Sequence, residues 1–154
     1  MDRNQKIVLI TLAAVVIVGG TGIVLYQKKH SQNTGVLARQ DLAKKTDAPV
    51  GQVIVGFPRE LLLDSKATPD QSYNMDYSKQ NQYTVNLISA MSPKDLYGLY
   101  QSYFKTNGYN LVNQNHTSAN LQSIYAIKDN VEVNVVANKK SDGKTSLTLT
   151  YLQK

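Results

Sequence analysis

Two hydrophobic patterns divide the chain. From Ile7 to Tyr26, "IVLITLAAVVIVGGTGIVLY", twenty residues pass without a charge, bracketed by Lys6 on one side and by Lys28 and Lys29 on the other. From Gln27 to Val50 no apolar period holds, and the composition is polar with scattered charge. From Gly51 onward apolar and polar positions alternate, the signature of strands with one buried face. The pattern predicts a head (1–6), an apolar helix (7–26), a linker (27–50) and one α+β domain (51–154). A domain of that length lies within the usual range.

The alternating stretches define the strands. In "QYTVNLI" Tyr83, Val85 and Leu87 share a face, with Thr84 and Asn86 on the other. "LQSIYAI" groups Leu121, Tyr125 and Ile127; "VEVNVVA" groups Val131, Val133 and Val135; "SLTLTYL" groups Leu147, Leu149 and Tyr151. Asp129-Asn130 and Asp142-Gly143 separate the last three with residues that tolerate positive φ, so a hairpin meander is expected. "SYNMDYS" precedes a turn at Lys79-Gln80-Asn81 and is a further strand, and Tyr109 opens another. The expectation is an antiparallel sheet of about five or six strands with one helix packed on a face.

That helix has a different period. Ser92 caps it, Pro93 follows the cap, Asp95 completes a capping box, and Asn107-Gly108 ends it. On a 100° wheel Leu99, Tyr103, Leu96, Tyr100, Phe104 and Tyr97 fill an arc of about 160°, the stripe expected to cover the sheet. Tyr100 and Tyr103 fall near its middle and Tyr97 at its margin, while Gly98 faces away.

A helix over Ile7–Tyr26 is about 30 Å long, the thickness of a bilayer's hydrocarbon core. Lys6, Tyr26, Lys28 and Lys29 then lie at the two interfaces, where long cationic stems and an aromatic ring keep their polar ends wet. A cleaved signal peptide, cut after the small residues Gly20 and Gly22, is the alternative; the apolar run continues past that point, which favours a retained anchor. Basic residues flank the span on both sides and do not orient it. The short head and the polar β domain point to a cytoplasmic N-terminus and a C-terminal domain outside the plasma membrane. If flexible, residues 27–50 span about 25 to 30 Å r.m.s., enough to hold the domain clear of the headgroups. A juxtamembrane helix around Gly35 to Lys45 is the other form this stretch can take.

Charge and composition exclude several classes. Seven basic residues against three acidic ones give residues 1–50 a net +4, whereas ten against eight leave +2 beyond them. The folded part has no basic stripe of the kind a duplex binder needs, so no nucleic-acid partner is expected. Cysteine is absent, which removes disulfides, thiolate nucleophiles and thiolate metal sites. His30 and His116 stand apart, each without the neighbours that zinc or a nucleophile–base pair requires. Asp70 and Asp76 match no calcium loop, Glu132 is expected to face water, and no phosphate loop, HExxH or nucleophile elbow occurs. No metal, cofactor or catalytic residue is assigned. Tyrosine is the residue used heavily, and its apolar face and polar tip suit a sugar- or peptide-binding platform as well as a core. Tyr73 and Tyr77, four residues apart on one strand, are the leading contact candidates, with Tyr97 third.

"GFPRELLLDSKA" (56–67), "SPKDLYGLYQSYFKTNGYNL" (92–111) and "GKTSLTLTYL" (143–152) resemble an uncharacterised family of membrane-anchored envelope domains in small-genome bacteria. The resemblance covers roughly two thirds of the domain and implies an anchor, this fold and an envelope location; it brings no activity. The chain departs from the family pattern at Leu62, Asp64-Ser65 and Tyr109, where proline, Pro-Gly and tryptophan are usual. The expectation is a non-catalytic, single-pass module binding a protein or cell-envelope component. The alternative is an envelope enzyme, which would gather Asp76, Glu132 and His116 in one cleft. A pilin-like subunit fits poorly, since no acidic residue lies between Ile7 and Tyr26.

Overall fold

The computed structural model describes residues 43–154. The apolar run Ile7–Tyr26 and its flanking Lys6, Lys28 and Lys29 lie outside the described residues, among which no helix is long and apolar enough to cross a membrane. Seven strands form one antiparallel sheet: β1 (Lys44–Asp47), β2 (Thr68–Tyr77), β3 (Gln80–Ser89), β4 (Asn110–Asn115), β5 (Leu121–Lys128), β6 (Val131–Lys139) and β7 (Thr145–Gln153), with helix α1 (Pro93–Thr106) between β3 and β4. Their order in space is β1-β2-β3-β7-β6-β5-β4. Two meanders are thus joined edge to edge by the pairing of β3 with β7, and α1 carries the chain from one to the other.

β1 was not foreseen. It falls in the stretch expected to be linker, is exposed throughout, and pairs Lys44–Asp47 with Asp76–Tyr73 of β2. Its identity rests on backbone pairing alone, so no apolar period announces it. Two lysines and an aspartate on so short an edge also discourage pairing with another chain.

The helix begins and ends as its sequence dictates. Ser92 Oγ accepts the Asp95 N–H at 3.1 Å and lies 2.7 Å from the Asp95 carboxylate. At the other end Gly108 takes φ 74° and the Tyr109 N–H returns to the Phe104 carbonyl at 2.9 Å, a Schellman closure. Leu96, Tyr100 and Phe104 are buried, while Tyr97, Leu99 and Tyr103 are half-buried. The centre of the stripe is therefore Tyr100 rather than the Tyr100–Tyr103 pair.

α1 lies across β4, β5 and β6. The other half of the same core is closed by the segment between β1 and β2, which drives Ile54, Phe57 and Leu61 into the hydrophobic cluster formed by Val85, Leu87, Leu147 and Leu149. Three hydrogen bonds tie that segment down. The Ile54 N–H donates to Ser72 Oγ (2.9 Å), the Tyr100 hydroxyl to the Leu61 carbonyl (2.8 Å), and the Ser89 hydroxyl to the buried Asp64 carboxylate (2.5 Å). The Lys66 N–H also donates to Asp64 (3.0 Å) and the Met91 N–H to Ser89 Oγ (3.0 Å). Asp64 is therefore the clip that ends this segment.

The face expected for β5 is reversed. Gln122, Ile124 and Ala126 point into the core, and Leu121, 40% exposed, shares the other face with Tyr125 and Ile127. The register explains the choice: Ile124 pairs with Val135 and Ala126 with Val133, and both valines lie beneath α1 in the core. Apolar residues occupy both faces of β5, so alternation alone cannot choose between them.

Candidate functional site

The structure scatters the residues singled out from sequence. Tyr73 and Tyr77 share the helix-free face, since the intervening register turns Ser72 into the core. Tyr73 is already engaged: the Lys45 ammonium sits 4.7 Å from its ring centroid and pairs with Asp47 at 2.7 Å. Tyr97 lies on the helix side, where its hydroxyl donates to Gln114 Oε1 (2.8 Å), receives Gln101 Nε2 (3.1 Å) and lies 3.3 Å from His116 Nδ1. These bonds fasten α1 to β4, so Tyr97 reads as a tie between elements.

Asp76, Glu132 and His116 do not converge. Asp76 is on β2 and Glu132 on β6, three strand spacings apart, or about 14 Å at roughly 4.8 Å per strand. His116 stands beyond the far end of β4, against Tyr97. Glu132 is occupied by structure: it receives the Tyr125 hydroxyl at 2.5 Å and pairs with Lys154. The bonds from Lys154 and Tyr125 hold its carboxyl below the usual range. Burial, reinforced by the Glu132 charge, pushes the Tyr125 phenol up to about 12. Among the described residues no group of His, Asp or Glu could hold a metal ion.

Two other pairs of tyrosines do come together. Tyr83 comes from β3, Tyr103 from the last turns of α1, Tyr109 from the residue before β4, and Tyr151 from β7. Tyr83 and Tyr151 are cross-strand partners with ring centroids 6.2 Å apart. Tyr103 and Tyr109 are 6.4 Å apart, and both lean on buried Phe104 at 5.7 and 5.0 Å. All four are half-buried. The Tyr100, Tyr97 and Tyr125 hydroxyls have protein partners. For these four hydroxyls no partner is found among the described residues, and none is a sealed polar atom; they open to solvent.

The segment between β1 and β2 lies against the first of these pairs at Tyr83. Gly56 has φ 94°, and a Cβ there would stand 2.9 Å from Cε1 and Oη of Tyr83, so glycine suits both the backbone conformation and the close approach of the ring's outer end. Four residues on, Glu60 occupies the single 3₁₀ turn Arg59–Leu61 and is exposed. Burial raises the phenols of Tyr103, Tyr109 and Tyr151 above their usual value, and the negative charge of Glu60 adds to the rise at each. Lys128 lies 5.6 Å from the Tyr109 ring centroid while donating to the Asn107 carbonyl at 2.9 Å.

Sequence reasoning missed this site because its parts come from four elements separated by nearly a hundred residues. The available signals were Gly56-Phe57 and the run of tyrosines, but not their meeting. A single helix laid across a long antiparallel sheet defines a helix-on-sheet α+β domain. The chain belongs to the START domain-like family, which it matches over residues 66–145. No curated protein and no solved structure matches it. The matched region holds Tyr83, Tyr103 and Tyr109, whereas Gly56, Glu60 and Tyr151 lie outside it.

Proposed function

We propose that this chain is a single-pass, membrane-anchored module whose domain stands outside the plasma membrane and binds a protein or cell-envelope component without catalysing a reaction. The observation that carries the reading is the two tyrosine pairs, Tyr83 with Tyr151 and Tyr103 with Tyr109, four half-buried rings with hydroxyls open to solvent. Large aromatic faces with free polar tips favour binding at low entropic cost. The uncharged run Ile7–Tyr26 between lysines supports the anchor, and the resemblance to anchored envelope domains supports the location. Tyr73 and Tyr77, on the helix-free face, and Tyr97, tied to Gln114, offer other contact surfaces.

The test uses the tagged full chain recovered from its own membranes after mild cross-linking, with Tyr109→Leu and Glu60→Lys beside Tyr73→Leu. The first two should lose the captured protein or polymer and the third should keep it. Capture that survives both cluster variants would overturn the site. An alkaline phosphatase fused after Lys154 should be active, and its inactivity would place the domain on the cytoplasmic side.

A further inference from the structure

We infer that the two turns between β1 and β2 form a lipid-touching tip, with the side chains of Val50 and Val55 inserted at the boundary between headgroups and acyl chains. The inference rests on the membrane-anchored reading above and adds a second, shallow contact between the chain and its bilayer.

Val50 and Val55 are 97% and 89% exposed, well above the other exposed apolar residues, Val112 at 53% and Leu121 at 40%. Each stands second in a tight turn. The Gln52 N–H donates to the Pro49 carbonyl at 3.1 Å and the Phe57 N–H to the Ile54 carbonyl at 3.3 Å. The third residues, Gly51 and Gly56, take φ 74° and 94°, which is the type II pattern. The second position of such a turn accepts most residues, and proline or a polar residue is the common choice, so the backbone does not ask for valine at either place. Both turns spring from one fixed point. The Ala48 N–H donates to the Ser72 carbonyl at 2.8 Å and the Ile54 N–H to Ser72 Oγ at 2.9 Å. The loop carrying Val50 therefore leaves and returns at a single residue of β2, and the turn carrying Val55 starts where it returns. Five residues of chain keep the two valines within about 18 Å of each other.

The occupant follows from chemistry and from the tether. No charged residue lies between Ala48 and Pro58, so this stretch leaves water without stripping an ion of its hydration. Valine is under-represented among the residues that anchor protein interfaces, where tryptophan, tyrosine and arginine dominate. Attachment to a bilayer surface, by contrast, scales with the apolar area inserted. Lys44, Lys45 and Arg59 flank the uncharged stretch and are exposed, placed to stay among headgroups while the valines go deeper. Residues 27–49 separate Tyr26 from Val50, and a flexible chain of that length spans about 25 to 30 Å. A domain anchored through Ile7–Tyr26 thus keeps these turns within reach of its own membrane.

The chain has no cysteine, so a single introduced cysteine carries one dye. The full chain is placed in liposomes of phosphatidylcholine and phosphatidylglycerol with nitrobenzoxadiazole at Val50→Cys, Val55→Cys, Ser141→Cys or Val15→Cys, and doxyl-labelled phospholipid is the quencher. Ser141, exposed in the turn between β6 and β7, controls for the dye's own affinity for lipid, and Val15 reports the anchor. Dyes at Val50 and Val55 should emit to the blue of the Ser141 dye and be quenched by doxyl lipid, which should leave the Ser141 dye bright. Val55→Asp should lower the ratio of membrane-touching to free states at the Val50 dye about tenfold, what burial of one valine is worth. Quenching at Val15 but not at Val50 and Val55 overturns the tip and leaves the anchor standing. Quenching at Ser141 equal to that at the turns overturns it too, as does a Val50 signal indifferent to Val55→Asp. Blue-shifted emission at the turns without lipid quenching means that a second copy covers them, and the lipid reading falls. No quenching at any of the four positions removes both the tip and the anchor.

Discussion

Replacing Tyr100 by phenylalanine separates two contributions that hold the β1–β2 segment on the sheet. Tyr100 is fully buried, and its hydroxyl donates to the Leu61 carbonyl at 2.8 Å across 39 residues of sequence. Burial is the main reason its phenol is held far above the usual range, as expected for a hydroxyl with no access to water. Phenylalanine keeps the ring and its 6.1 Å contact with Phe104 but leaves the Leu61 carbonyl without this donor. Leaving a buried acceptor unsatisfied costs about 1–3 kcal/mol. Alanine removes the ring as well and should cost about 3–5 kcal/mol, as for other large aromatics in cores. For a domain of this size each kcal/mol lowers the unfolding temperature by roughly 4 to 8 °C. Urea and thermal unfolding of the full chain, followed by near-ultraviolet circular dichroism of tyrosine, measures both steps. Hydrogen exchange adds a local readout: the Ile54 and Leu62 amides should exchange faster in Tyr100→Phe than those of β6. A phenylalanine variant as stable as the wild type would refute the argument that this bond pins the segment. Equal losses for phenylalanine and alanine would show that ring packing contributes nothing.

Gly98→Ala should stabilise the domain by about 1 kcal/mol, because Gly98 is exposed in mid-helix and a Cβ there meets nothing within 4 Å; a lower urea midpoint would contradict this. Gly56→Ala should destabilise by roughly 1–3 kcal/mol through its positive φ and should displace the Tyr83 ring, visible as a shifted Tyr83 signal. Stability should fall above about pH 10 and also on acidification. On the alkaline side the phenols of Tyr100 and Tyr125 are raised in the fold. The folded state therefore keeps protons that the unfolded chain has released, and stability drops as pH rises. On the acid side the Glu132 carboxyl is lowered. Its contribution is complete above the unfolded value and disappears as pH falls through the folded one. Glu132→Gln should flatten the acid limb, and Tyr125→Phe the alkaline one; unchanged slopes would remove these groups from the linkage.

Alternation, caps and turn residues were enough to predict one helix on an antiparallel meander, because those features act over a few residues. Ser92, Asp95 and Gly108 perform the roles their types suggest. β1 was illegible because four exposed residues carry no period. The face of β5 was illegible because Leu121, Tyr125 and Ile127 offer as regular an apolar stripe as Ile124 and Ala126. Only pairing with Val133 and Val135 chose between them. Nothing around Asp64 in the sequence announces its role, yet it clips the segment to Ser89, a partner 25 residues away.

The tyrosines show the same division most plainly. Sequence alone determined how many there are, which ones alternate on strands, and that Tyr100 belongs to the helix's buried stripe. Tertiary structure decided that Tyr97 is a tie, that Lys45 sits over Tyr73, and that Tyr83 pairs with Tyr151 and Tyr103 with Tyr109. Periodicity reports which side of its own element a residue occupies. What stands opposite depends on strand order and on the path of segments that have no period, and for these residues β3 beside β7, the return from α1 into β4 and the backbone at Gly56 set the neighbours.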